Sequence, residues 1–117
     1  MPYARILERL LGAVPGSVAA LLLDAQGEVV VEAGERDDRH RLVGAHKGIA
    51  LAAALRAATR HGTGAIRHLV FRHEGGTIVL RPLKDGYYLV VSLGPEALVA
   101  AGVRHSEDAQ RSLDEEI

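Results

Sequence analysis

Val14-Pro15-Gly16-Ser17-Val18-Ala19-Ala20-Leu21-Leu22-Leu23-Asp24-Ala25-Gln26-Gly27 carries three structural instructions in succession. Pro15-Gly16 ends the helix that precedes it. Ser17 to Asp24 has a continuous apolar centre, the pattern of a strand covered on both faces. Ala25-Gln26-Gly27 then turns the chain, with Gly27 able to take a positive φ. A strand buried on both sides needs a layer above it and a layer below it.

The flanking sequence supplies those layers. Upstream, Tyr3, Ile6, Leu7, Leu10, Leu11 and Val14 recur at helical spacing and form one apolar stripe, with Arg5, Glu8 and Arg9 on the wet side. Downstream, Glu28 to Ala33 reads as a second strand that closes a hairpin. The charged stretch Gly34 to Arg41 follows, where Asp37 and Asp38 suit the start of a helix. Nothing interrupts a helix from Asp38 to His61, and Gly62 and Gly64 end it. Ala65 to Arg72, Thr77 to Pro82 and Gly86 to Leu93 read as three more strands, joined by Gly-containing turns. Gly94-Pro95 closes the sheet, and Glu96 to Ile117 reads as a last helix. Leu98, Ala101, His105, Ala109 and Leu113 are expected on its inner side. The order α-β-β-α-β-β-β-α predicts an α+β fold, a five-stranded antiparallel sheet with helices on both faces. A length of 117 residues fits one domain, 1–117.

Composition narrows the function. Aromatic residues are 3% of the chain, namely Tyr3, Phe71, Tyr87 and Tyr88 with no Trp, so the core is aliphatic. Four scattered aromatics do not build a base-stacking platform, and a net charge of −1 gives no global pull toward nucleic acid. The same near-neutrality is expected to lower any barrier to self-association. The absence of cysteine removes disulfides, thiol catalysis and Cys-ligated zinc. No apolar run is long enough to span a membrane, and Met1-Pro2-Tyr3-Ala4-Arg5 lacks a signal-peptide layout. The expectation is a cytoplasmic protein with neither nucleic acid nor membrane as partner.

Catalytic signatures are missing. Gly44-Ala45-His46-Lys47-Gly48 has glycines and a lysine, but not the spacing of a phosphate-binding loop, and no Ser or Thr follows Lys47. Inside a helix, Gly44 and Gly48 instead let another element pack closely. His40, His46, His61, His68, His73 and His105 form no His-Glu-x-x-His pair, although His68 and Arg72 would share a strand face. Ser17 sits in no nucleophile elbow. Asp37-Asp38 reads as a helix cap and Asp114-Glu115-Glu116 as a solvated face. No catalytic residue, metal ligand or cofactor is expected, and the protein is not expected to be an enzyme.

The middle helix is the informative element. Leu42 to Ala58 is apolar or small nearly all round, interrupted only by His46 and Lys47 before Arg56. Such a helix is covered on more than one side. One sheet cannot do that in so short a chain, so a partner chain is implied. Ala50, Ala53, Ala54 and Ala57 would allow close helix–helix approach.

The segment Val14 to Gly27, the element order and the closing strand Asp85-Gly86-Tyr87-Tyr88-Leu89-Val90-Val91 together resemble the Roadblock/dynein-light-chain family. The shared pattern is a short helix, Pro-Gly-x-x-x-x-x-Leu-x-Asp-x-x-Gly, a long helix, and three strands ending Gly-Tyr-x-Leu-Val-Val. The likeness covers nearly the whole chain. It implies a profilin-like sheet in the order 2-1-5-4-3, and a homodimer joined through the third strands and the long helices. It also implies a small Ras-like GTPase as partner, docked over the paired helices. The dimer contacts expected here are Ala50, Ala53, Ala54, Ala57, Ile66, His68 and Val70. The expected partner contacts are Leu42, His46, Ile49 and Ala53. Arg36, Arg39 and Arg41 could offer an arginine to a developing phosphate charge; a complementary surface that steadies the GTPase's loops is the other route. A small-molecule sensor and a purely structural adaptor of the same fold are the alternatives. The sensor would need an apolar pocket between sheet and helix.

Overall fold

The computed structural model describes residues 2–117. Helix α1 spans Pro2–Ala13, followed by strands β1 (Ser17–Leu23) and β2 (Val29–Gly34). Helix α2 runs Asp38–His61, then β3 (Leu69–His73), β4 (Gly76–Pro82) and β5 (Tyr88–Leu93), and α3 closes the chain at Val99–Glu116. The five strands form one sheet in the order β2-β1-β5-β4-β3, with every neighbouring pair antiparallel. The expected fold class and strand order are both observed.

The doubly covered strand explains the layering. Ala20 and Leu22 of β1 point into a core shared with Leu7, Leu10 and Val14 from the α1 segment and with Ala109 and Leu113 of α3. Ala19, Leu21 and Leu23 point the other way, into a second core with Leu51 of α2, Leu80 and Tyr88. The period of two thus sends alternate residues of one strand into two cores. Helices α1 and α3 share one face of the sheet, and α2 lies alone on the other. Gly16 turns the chain between α1 and β1 with φ +84°. Its carbonyl accepts the Gly94 N–H at 2.8 Å, which ties this corner to the loop leaving β5.

Three element starts differ from the sequence reading by more than one residue, each for a local reason. The third strand begins at Leu69, not Ala65. Gly62 caps α2 in the left-handed conformation, and the carbonyl of Arg67 accepts from the Arg81 guanidinium at 3.2 Å instead of from a ladder partner. His68 therefore precedes the strand and does not share its face with Arg72. The last strand begins at Tyr88, because Lys84–Gly86 makes a 3₁₀ turn with Asp85 at φ 58°. Helix α3 starts at Val99, after a turn closed by the Ala97 N–H on the Gly94 carbonyl. Its inner stripe is Gly102, Ser106, Ala109 and Leu113. Leu98 lies outside the helix and is exposed, and His105 is displaced by one residue from the stripe. Asp37 caps α2 as expected, its carboxylate accepting the Arg39 N–H at 2.9 Å.

Candidate functional site

Helix α2 buries a single face. Gly44, Leu51 and Ala58, spaced by seven, are its buried positions, and they meet β1, β4 and β5. At about 100° per residue, Leu42, His46, Ile49, Ala53, Arg56 and Arg60 fall on the opposite side. All six are exposed, and Leu42 and Ile49 are left 69% and 67% accessible. The all-round apolar character read from the sequence is thus a buried stripe plus an uncovered one. A single exposed aliphatic side chain is ordinary, whereas large ones aligned on one helix face mark a candidate contact surface.

The helix seats itself by a close approach. Tyr88 of β5 is 5% exposed and donates its hydroxyl to the Gly44 carbonyl at 3.2 Å. A Cβ on Gly48 would stand 2.5 Å from Tyr88 Cζ. Gly48 therefore makes room for the phenol ring, and Gly44 supplies the carbonyl that its hydroxyl meets. On the flank toward β3, the Lys47 ammonium lies 4.5 Å from the centroid of Phe71. Ala50, Ala54 and Ala57 project on that same flank, and Ala53 borders it. The small residues expected at a dimer contact thus stand on the side of the free β3 edge.

The two sheet edges differ. On β2 the pairing with β1 shifts between Leu22 and Leu23, leaving Val30 outside the register, and the strand carries Glu32. Bulges and charges of this kind blunt an edge. On β3 the register with β4 is regular from Leu69 to His73, and Leu69, Val70 and Phe71 are only half-buried. The β3 edge carries no bulge, and its only exposed residues are Arg72 and His73 at its end. Val70 points to the core on the α1/α3 side, while Ile66 packs with Leu69 and Phe71 on the α2 side. Of the expected edge contacts, only Val70 lies within the strand; Ile66 and His68 lie in the segment leading to it.

The charged loop is stitched to its own chain. Arg41 forks onto Glu32 through Nε at 3.1 Å and through a second, shorter contact. Arg36 reaches the same carboxylate at 3.5 Å, and Arg39 reaches Asp37 at 3.2 Å. Hydrogen bonding by Arg41 holds the Glu32 carboxyl below the usual range, and Glu32 is 9% exposed. This pair fastens the first turn of α2 to β2.

One functional group escaped the sequence reading. Arg81 of β4 is 2% exposed, yet among the described residues no carboxylate pairs with it. Its guanidinium donates to Ser106 Oγ (2.8 Å), the Val103 carbonyl (2.6 Å), the Arg67 carbonyl (3.2 Å) and Gln110 Oε1 (3.3 Å). Burial lowers its pKa. The available signal was alternation: Val79 and Arg81 share the face opposite Ile78 and Leu80. Beside it, His68 Nδ1 is buried without a partner, and burial, followed by the Arg81 charge, lowers the His68 pKa.

Among the described residues no three His, Asp or Glu side chains gather closely enough to hold a metal ion. Among the described residues no helix is long and apolar enough to cross a membrane. A trough of about 580 Å³ lined by Leu42, Val43, His46, Lys47, His73 and Ile78 runs along the α2 flank. It is open to solvent. A smaller recess of about 230 Å³ lined by Leu21, Val43, Ile78 and Val90 lies under the start of the helix, and Leu51, Leu80 and Tyr88 fill the space beneath its middle.

Residues 4–93 match the family model described as the Roadblock/LC7 domain. A Roadblock/LC7 domain from Streptomyces avermitilis superposes with a TM-score of 0.83 at 22% identity, covering 96% of this chain and 94% of that one. The gliding protein MglB of Thermus thermophilus gives 0.84 at 19%, with 97% and 87% covered. MglC of Myxococcus xanthus gives 0.72 at 18%, with both chains covered in full. At these identities the likeness is one of fold. No curated protein sequence matches the chain.

Proposed function

The chain belongs to the Roadblock/LC7 domain family, and on that premise we propose that it is a homodimeric, non-enzymatic regulator or scaffold of a small Ras-like GTPase. It modulates the partner's GTP hydrolysis or its localisation, and residues 1–117 act as a single Roadblock-like domain. The observation that carries this reading is the outer stripe of α2. Leu42 and Ile49 stand exposed beside a row of alanines that faces the unblunted β3 edge.

Two copies meeting at β3 would continue the sheet and bring the Ala50-Ala54-Ala57 flanks of their α2 helices together. Small side chains allow such helices to approach closely, and the paired helices form a platform. Leu42, His46, Ile49 and Ala53 then face outward from it. A GTPase settling there can have its switch segments ordered by surface contact alone, which changes hydrolysis without a donated catalytic group. The arginine route is less well supported, because Arg36, Arg39 and Arg41 are each engaged by a carboxylate of the same chain.

Capture of partners from the native cell, with and without a non-hydrolysable GTP analogue, tests the proposal. A GTPase retained in only one nucleotide state is the expected result. A partner set indifferent to nucleotide would replace the regulator with a structural adaptor. A strict monomer in solution would remove the platform.

A further inference from the structure

The net charge of −1 conceals a sharp division. From Arg39 to His73, which is α2 after its first residue, the following loop and β3, there are seven Lys or Arg residues, five of the six histidines, and no Asp or Glu. All fifteen carboxylates lie outside that segment, with the other seven Lys and Arg. The helix that carries the docking stripe is therefore cationic along its length.

Only its beginning is neutralised from within. Arg39 and Arg41 meet Asp37, Asp38 and Glu32. Further along, Arg56 and Arg60 are exposed and make no ion pair among the described residues. They continue the stripe of Ile49 and Ala53, and Ile49 to Arg60 spans about 16 Å of helix. An apolar centre edged by unsatisfied arginines has the composition of a protein–protein interface. Single-stranded nucleic acid is a poorer fit, since no aromatic residue lies on the stripe, and a duplex, which asks only for phosphate-facing cations, would leave Ile49 and Ala53 without a contact. A bilayer is a poorer fit too, since an interfacial helix presents a continuous face of bulky apolar residues, whereas here Ile49 and Ala53 give way to Arg56 and Arg60.

We propose that the C-terminal half of α2 docks a carboxylate-rich protein surface. Arg56 and Arg60 read its charge, and Ile49 and Ala53 make the apolar contact beside them. This rests on the docking role given to α2 above and adds the chemistry of the partner. It also couples binding to self-association. Two α2 helices brought side by side place like charges together, and an acidic surface laid across both relieves that repulsion.

The test is an amide-resolved NMR titration of the full chain with an oligoglutamate peptide, alongside a DNA duplex and phosphatidylserine vesicles at matched ionic strength. Expected are shifts clustered between His46 and His61, and affinity falling about tenfold as salt rises from low to several hundred millimolar. The exposed double variant Arg56→Glu/Arg60→Glu should weaken peptide binding by about tenfold or more while its far-UV spectrum and melting temperature stay put. Unchanged binding by that variant, or shifts on other faces, overturns the proposal. So does tighter binding to the duplex or the vesicles. A low-salt rise in mass that the variant abolishes would make a second copy, through its acidic α3, the occupant instead. Nucleotide-dependent GTPase capture that survives the charge reversal sinks the acidic-partner inference and leaves the proposed function standing. Loss of that nucleotide dependence in the unmodified chain does the reverse.

Discussion

Replacing Gly48 with alanine is expected to destabilise the protein, whereas the same change at Gly44 stabilises it. Both glycines lie in the interior of α2, four residues apart and facing the sheet. Glycine to alanine in a helix interior gains about 0.8–1.0 kcal/mol from reduced backbone freedom in the unfolded chain. At Gly44 that gain is unopposed, because an added Cβ meets Leu23 and Val90 at 3.6 Å, ordinary contact. At Gly48 the added carbon lies 2.5 Å from Tyr88 Cζ, and the Tyr88 hydroxyl is closer still. The ring cannot swing aside freely, since it is 5% exposed and its hydroxyl is bonded to the Gly44 carbonyl. Overpacking costs about 1–3 kcal/mol, and two ring-end atoms inside contact distance put this site at about 2–3 kcal/mol, so the net loss is about 1–2 kcal/mol. For a chain of this size that lowers the melting temperature by roughly 4–8 °C. Thermal and urea unfolding at one fixed protein concentration reads the effect, the concentration being held because self-association shifts the midpoint. Combining Gly48→Ala with Tyr88→Phe should recover only part of the loss, since Cζ remains. A Gly48→Ala protein as stable as its parent would refute the seat that the phenol is argued to occupy.

The remaining expectations concern the other face and the assembly. Arg81→Lys should destabilise more than Arg81→Met by urea unfolding. Lysine keeps a buried charge but loses the fork that serves four acceptors, while methionine removes the charge. His68 is held below its usual pKa, with Arg81 and Glu107 as the charged groups nearest it. The native state therefore refuses a proton that the unfolded chain accepts. Its contribution is complete above the unfolded value near pH 6.5 and is lost as pH falls below it. His68→Phe should flatten the stability profile in that acid range and leave the alkaline side unchanged. Ala57→Glu, at an exposed position of α2, should lower the solution mass to that of a monomer by light scattering without changing the far-UV spectrum. A dimer that persists would remove the α2 flank from the interface.

Much of the fold was legible because its signals are local and periodic. The run Ala19 to Leu23 could only be a strand with two covered faces, and Tyr3 to Val14 could only be a one-sided helix. The ends were less legible where side chains overrode the pattern. Ile66 and His68 look like strand residues, but the Arg67 carbonyl is taken by a guanidinium fourteen positions away in sequence. Asp85 in a left-handed turn delays β5. The inner stripe of α3 was misplaced because its buried positions include Gly102 and Ser106, which carry no hydrophobic signal. At the candidate site, exposure of Leu42 and Ile49 followed from excess apolar character in α2. Its charge did not follow, because a whole-chain balance averages a cationic helix against acidic surroundings. The near-neutrality of the whole chain therefore does not extend to α2, the helix proposed to meet its copy.

Arg81 has a consequence for where this domain can be divided. The family match ends at Leu93, before α3 begins at Val99. Three of the four groups that solvate the Arg81 cation, namely Ser106, Val103 and Gln110, belong to that last helix. A chain cut after Leu93 would keep every strand and leave a guanidinium stranded against the apolar underside of the sheet, its solvation shell discarded with the helix. The sequence-defined unit and the folding unit therefore have different boundaries, and α3 is the internal solvent of a charge that the matched segment carries.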